Sequence, residues 1–152
     1  GKGYLYEEDN AYTKKKLNKP LNKFWNLREV ARYDPGVPKF SELPEGTFDG
    51  VIAVDVMEHI PTEDAKWVLD QIMGYSNKAV FLNIACYEAL KTFRNGKNVH
   101  VSVHPPEWWI DLLNEVWLAK HSDRVTVHIT FEEVEERYVS SGIFKTHVLY
   151  HH

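Results

Sequence analysis

The stretch FDGVIAVDVMEHIP, residues 48–61, decides which fold the sequence predicts. Residues 51–56 are nearly all apolar and mostly β-branched. That pattern predicts a strand buried on both faces, as in a parallel sheet. Asp55, Glu58 and His59 lie at or just past the end of that strand. Two interpretations are open: these polar groups satisfy the first N–H groups of a following helix, or they face a small molecule beyond the carboxyl end of the strand.

The residues that follow predict a strand–helix–strand unit. Thr62 is a candidate cap for a helix that carries Glu63 and Asp64 in its first turn and stops at Gly74. Residues 79–85, AVFLNIA, form a second candidate for a buried strand. Strand, helix and strand together span about 35 residues, the size of a βαβ unit.

The last third of the chain predicts further elements of the same kind. A helix is expected to open at Pro105 and Pro106 and to carry an apolar stripe that includes Trp109. Residues 125–131 alternate between apolar and polar side chains, which predicts a strand, and residues 142–152 predict one more. This alternation of strands and helices indicates an α/β layered domain.

The N-terminal quarter is polar and gives weaker patterns. Residues 4–27 predict a helix, a break at Pro20, and then a short helix or loop. Residues 29–33 are a candidate strand, and the DPG that follows is typical of a turn. Asp34 would close that strand, where a carboxylate can accept hydrogen bonds from both hydroxyls of a ribose.

Length and composition narrow the class of protein. The 152 residues predict one domain, 1–152, long enough for a sizeable core. The net charge of −4 gives no strong sign of nucleic-acid binding, and no apolar run approaches the ~18 residues of a membrane span. With a single cysteine, Cys86, and no visible signal peptide, the expected location is the cytoplasm. A homodimer is expected if the aromatic C-terminal half leaves an exposed patch.

The order YDPG followed by SELPEGTFDGVIAVDVMEHIP resembles the class I S-adenosylmethionine-dependent methyltransferases. In particular, the chain resembles small methyltransferase-like proteins of phage and environmental sequences. Asp34 matches the family's ribose-binding acid, and Asp55 through His59 match the polar end of its fourth strand. The opening GKG resembles the tail of the family's glycine motif, whose glycines let the backbone approach the cofactor.

This resemblance implies an α/β, three-layer, Rossmann-like methyltransferase fold with a mostly parallel sheet. Because the chain begins inside the glycine motif, the first strand is expected to be missing, either because upstream residues were lost or because the gene is a fragment. The short spacing between Tyr33 and Asp49 leaves the third strand short or absent. The implied cofactor is S-adenosylmethionine, and the implied cofactor-binding residues are Gly1, Gly3, Asp34, Phe40, Ser41, Leu43, Asp55, Val56 and Glu58.

Three functions stay open at this point. The first is a methyltransferase whose acceptor is a small metabolite, a nucleic acid or a protein. The second is a degenerate, non-catalytic relative that serves as a binding or assembly module. The third is a nucleotide-dependent oxidoreductase, because Asp34 could hold the ribose of another cofactor.

The histidines supply the candidate catalytic residues, His59 and His100. Methyl transfer needs alignment first, and a base only if the acceptor must lose a proton. The NVHVSVHPPEWW stretch is either a wall of the acceptor site or a loop followed by the buried Trp109. On a strand, His100 and His104 would lie roughly 13 Å apart, too far for one ion, so the sequence predicts no metal site.

Overall fold

The computed structural model describes residues 21–134 and 144–151. The chain divides into two compact units, Gly1–Glu45 and Gly46–His152. The prediction of a single domain stays a prediction. Gly1, Gly3 and most of the helix predicted for residues 4–27 lie outside the described residues.

The described part of the first unit contains a short helix, α1 (Leu21–Phe24), and a 3-10 helix, Pro38–Phe40. A short helix or a loop is expected after Pro20, and the structure has the helix. The strand predicted for residues 29–33 is wrong, because these residues form none. The chain closes a loop instead: the Asp34 N–H donates to the Phe40 carbonyl at 2.8 Å. The Arg32 guanidinium lies 4.3 Å from the centre of the Phe40 ring, which also favours this loop over an extended strand.

The second unit is an α/β domain. Its strands and helices are β1 (Phe48–Val54), α2 (Thr62–Gly74), β2 (Ser76–Ala85), α3 (Pro106–Lys120), β3 (Thr126–Val134) and β4 (Phe144–His151). The sheet order is β1-β2-β3-β4, with the first three strands parallel and β4 antiparallel to β3. The predicted βαβ unit and the mostly parallel sheet are therefore confirmed.

One face of the sheet carries the core. Ala53, Leu82 and Ile129 are neighbours across β1, β2 and β3, and all three are buried. Helices α2 and α3 contribute to the same cluster; its buried members from the helices are Ala65, Leu69, Met73, Trp109, Leu113, Val116 and Trp117. Both helices therefore pack on the same side of the sheet, as expected when consecutive parallel strands are joined by crossovers of the usual right hand.

The predicted burial of β1 on both faces is wrong. Ile52 and Val54 are 55% and 46% exposed, whereas Ala53 between them is 8% exposed. Side chains alternate between the faces of a strand, and both helices of this unit cover the face of Ala53. Within the described part of this unit, the domain has two layers, so the three-layer arrangement stays an expectation.

Helix α2 begins differently from the prediction. Pro61 takes the cap position, so Thr62 is the first helical residue and the predicted Thr62 cap is wrong. The Thr62 hydroxyl instead lies 3.0 Å from the Ser102 hydroxyl and 2.9 Å from His104 Nε2. The acidic first turn and the end at Gly74 are confirmed.

Asp70 joins α2 to the end of α3, and its replacement tests this contact. Lys120 Nζ and His121 Nε2 donate to its two oxygens at 2.7 and 2.9 Å. These hydrogen bonds hold the pKa of Asp70 below its ordinary value of 3.8. Asp70→Asn is expected to lower the free energy of unfolding by about 1–2 kcal/mol at pH 7, measured by urea denaturation.

The sign of the pH dependence follows from the lowered pKa. The contribution of the Asp70 carboxylate is fully present above 3.8 and is lost as the pH falls through the lower folded value. The difference between Asp70→Asn and the parent chain should therefore shrink below about pH 4. Asp111→Asn, an exposed change on α3, serves as the control and should stay within about 0.5 kcal/mol. Equal effects of the two variants would contradict the role given to Asp70.

Candidate functional site

The end of β1 turns sharply. Asp55 has a φ of 52°, in the left-handed region that few residues other than glycine adopt. Its N–H donates to the Asn83 carbonyl at 3.1 Å. The chain then leaves the sheet through Val56 and enters a 3-10 helix, Met57–His59. This turn carries the polar residues of the opening stretch to the carboxyl edge of the parallel strands.

A buried amide ties the strand ends together. Asn83, 9% exposed on β2, donates through Nδ2 to Asp55 Oδ1 at 3.2 Å and to Glu132 Oε1 at 3.1 Å. Its Oδ1 accepts a hydrogen bond from the Thr130 hydroxyl at 2.5 Å. The Tyr87 hydroxyl donates to Glu132 Oε2 at 3.4 Å, and burial beside this carboxylate raises the pKa of Tyr87 to about 12. Three neighbouring strands thus contribute to one polar network.

Glu58 is the unusual residue of this edge. It is fully buried, at 0% exposure, and neither carboxylate oxygen has a hydrogen-bond partner of good geometry among the described residues. Burial raises the pKa of Glu58, and the nearby Asp55 charge adds to the rise. The backbone N–H of Glu58 and the imidazoles of His59 and His100 act in the opposite direction.

His59 and His100 lie beside Glu58 with their rings fixed by carbonyl groups. His59 Nδ1 is 2.8 Å from the Val99 oxygen, and His100 Nδ1 is 2.6 Å from the Tyr87 oxygen. A carbonyl only accepts, so the Nδ1 atom of each ring carries a proton, and Nε2 is the ring nitrogen that can offer a lone pair. The ring centres are 4.9 Å apart at 78°.

The loop between β2 and α3 is organised by Asn98. Its Oδ1 accepts from the N–H groups of Ala89 and His100 at 3.0 and 2.9 Å, and its Nδ2 donates to the Ala89 carbonyl at 2.9 Å. Farther along, Ser102 donates through its N–H to the Glu58 carbonyl and through its hydroxyl to Ile60. Residues 87–104 contain no fully buried apolar side chain, so polar contacts position this loop.

His104 belongs to a different contact. Its ring stacks on Trp108 with centres 3.8 Å apart and 17° between the planes. Burial lowers the pKa of His104. Trp109 is 1% exposed, which confirms that it belongs to the core, while Trp108 is half-buried. The structure therefore places His100 with His59 rather than with His104.

The sequence-predicted residues that the structure describes fall into three groups. The structure brings Glu58, His59 and His100 together, with one ligand atom from each within 4.8 Å of the others. Asp55 and Val56 lie at the adjoining strand end. The first unit holds Asp34, Phe40, Ser41 and Leu43.

Within the first unit, the predicted residues make local contacts. Asp34 Oδ1 accepts from the Gly36 N–H at 3.0 Å, which confirms the predicted turn. The Ser41 hydroxyl donates to the Pro38 carbonyl at 3.0 Å, and Leu43 is 57% exposed. The ribose and adenine roles that the resemblance implies for these residues stay predictions.

A second surface feature lies away from this edge. A shallow groove between α2 and α3 is lined by charged residues and by Trp67, and it contains none of the sequence-predicted site residues.

No helix in the described ranges is long and apolar enough to cross a membrane. Searches of protein-family models, curated proteins and solved structures found no match to this chain.

Proposed function

We propose that this chain binds S-adenosylmethionine in the manner of a class I methyltransferase, at the carboxyl ends of β1 and β2. The observation that supports the proposal best is the polar edge built by Asp55 and Asn83 on adjacent parallel strands. Ligands of open parallel sheets bind beyond the carboxyl ends of the strands. The sequence resemblance assigns Asp55, Val56 and Glu58 to the same place.

The proposed reaction needs little covalent chemistry from the protein. S-adenosylmethionine, when bound, would supply an activated methyl group: the acceptor's lone pair would form the bond to the methyl carbon, and the electrons of the carbon–sulfur bond would go to sulfur. The protein aligns the two reactants, which is the larger part of the catalytic effect. The Nε2 lone pair of the exposed His59 is available to take a proton if the acceptor is a hydroxyl or an amine.

Isothermal titration calorimetry with S-adenosylmethionine and S-adenosylhomocysteine tests the cofactor role. Both ligands are expected to bind, because they share the adenosine and amino-acid groups. NADH serves as the comparison, since preferential binding of NADH would favour the oxidoreductase alternative. The absence of heat with every ligand, for a chain that circular dichroism shows to be folded, would contradict the proposal.

Asp34 variants refine this experiment. The resemblance assigns Asp34 to the ribose, and on that assignment Asp34→Ala weakens cofactor binding by about 1–3 kcal/mol. Asp34→Asn is the matched control for the turn, since an amide oxygen can still accept from the Gly36 N–H. Unchanged affinity in Asp34→Ala would remove Asp34 from the ribose role.

A further inference from the structure

Three side chains with metal-binding chemistry converge at the end of β1. Glu58 and His59 come from the 3-10 helix after β1, and His100 comes from the loop before α3. One ligand atom from each lies within 4.8 Å of the others. Glu58 is buried, His100 is half-buried and His59 is exposed, so the cluster has a closed side and a side open to solvent.

The buried carboxyl group of Glu58 is the strongest argument that this cluster takes a ligand. A buried charge without a partner destabilises a folded protein by several kcal/mol, and native structures rarely keep one. Neither Glu58 oxygen has a hydrogen-bond partner of good geometry among the described residues. Asp55 adds a second negative charge close by. A cation that bound Glu58 would remove the unfavourable desolvation of this side chain.

The two histidines are oriented as metal ligands usually are. A ligating imidazole typically donates its other N–H to a carbonyl or carboxylate, which fixes the tautomer and the ring. His59 and His100 both do this through Nδ1, to Val99 and Tyr87. The His100 backbone N–H donates to Asn98 Oδ1, which fixes the backbone at His100. The Nε2 atoms are thereby left with lone pairs for a cation.

We propose that Glu58, His59 and His100 bind one divalent first-row transition-metal ion. Zinc is the ion that we expect. Two imidazoles and one carboxylate are a ligand set of zinc sites that keep an open position, and also of iron(II) sites. Magnesium is disfavoured, because it prefers oxygen ligands. The proposal does not depend on S-adenosylmethionine binding. With the ion bound, His59 Nε2 would be a metal ligand and would not also act as the base for methyl transfer.

The geometry requires a modest closure of the three side chains. With metal–ligand distances of about 2.0–2.2 Å, ligand atoms around one ion lie roughly 3.0–3.5 Å apart. Because the three atoms lie within 4.8 Å of one another, closure by at most about 1.3–1.8 Å brings them into range. Three protein ligands leave at least one coordination position for water or an oxygen of another molecule.

Metal titration of the full chain, after treatment with a chelator, tests the proposal without any cofactor. Zinc is expected to bind with a stoichiometry of about one by calorimetry and to raise the midpoint of thermal unfolding. Cobalt(II) is expected to give the visible absorption bands of a site with low coordination number. Magnesium at the same concentration should neither bind in the calorimeter nor raise the midpoint of thermal unfolding. No zinc-dependent shift and no cobalt bands in the parent chain would overturn the proposal.

Variants locate the ion. His59→Asn and His100→Asn are each expected to weaken zinc binding by about 10–100-fold or more. His104→Asn is the matched control, since His104 lies outside the cluster and should leave the affinity unchanged. A double change of His151 and His152 to Ala tests the adjacent pair at the chain terminus. If zinc binding survived loss of both cluster histidines, or disappeared with the terminal pair alone, the proposal would be wrong.

Glu58→Gln covers the case in which a histidine variant fails to fold. Because the change removes a buried, unpartnered charge, the metal-free variant is expected to be at least as stable as the parent chain. Zinc should nevertheless raise its thermal midpoint much less than it raises that of the parent chain. An equal zinc-induced rise in the folded Glu58→Gln variant would remove Glu58 from the site.

Discussion

Trp109→Ala is expected to lower the free energy of unfolding by about 3–5 kcal/mol, measured by urea denaturation. The indole is 1% exposed and is among the largest fully buried side chains of the described residues. It belongs to the cluster that joins α3 to the sheet. Its removal would leave a cavity that the surrounding strands cannot close, so both the transfer energy and the packing contacts would be lost.

Trp109→Phe is the matched control. The indole N–H has no hydrogen-bond partner among the described residues, so its loss breaks no hydrogen bond. A ring remains to fill most of the space, and the expected destabilisation is below about 2 kcal/mol. If Trp109→Ala cost less than about 1 kcal/mol, Trp109 could not lie in a close-packed core.

Asn83→Asp is the second change with a large expected effect. A carboxylate at position 83 would place like charges opposite Asp55 Oδ1 and Glu132 Oε1, which now lie 3.2 and 3.1 Å from an amide NH₂. At this range, with partial screening because Asp55 is exposed, the repulsion costs about 3 kcal/mol of unfolding free energy at pH 7. Urea denaturation at several pH values measures it.

The pH dependence identifies the cause. Repulsion raises the pKa of a carboxyl at position 83, so the folded state keeps a proton that the unfolded chain has released. The stability deficit should therefore shrink as the pH falls from 7 toward about 4. Asn77→Asp makes the same chemical change at an exposed position and should stay within about 0.5 kcal/mol. A pH-independent deficit would mean that the loss comes from the missing NH₂ hydrogen bonds rather than from repulsion between carboxylates.

Hydrophobic patterns predicted the second unit well. The apolar run before Asp55, the alternation in residues 125–131 and the stripe around Trp109 all identify the elements that the structure contains. Such patterns do not tell whether helices cover one face of the sheet or both faces. Ile52 and Val54 are as apolar as their buried neighbours, yet both are exposed, because coverage depends on where α2 and α3 pack.

The candidate site was only partly predictable for a related reason. Glu58 and His59 are adjacent, so a local pattern found them. His100 reaches them through a loop closed by Asn98, and the bond from His59 spans 40 residues to Val99. No periodicity encodes such a loop path. Asn83 could have been noticed as the one polar residue of the AVFLNIA strand, because a buried amide needs partners.

The loop of residues 87–104 has a consequence for the motions of the molecule. Leu90 and Phe93 are exposed, and hydrogen bonds rather than buried apolar area hold the loop against the strand ends. Segments of this kind open at a lower free energy than the sheet beneath them, without unfolding the rest of the domain. Such an opening would carry His100 away from Glu58 while the strand that leads to Glu58 stays paired. A ligand bound to both Glu58 and His100 would stabilise the closed loop and shift the population from the open form to the closed form.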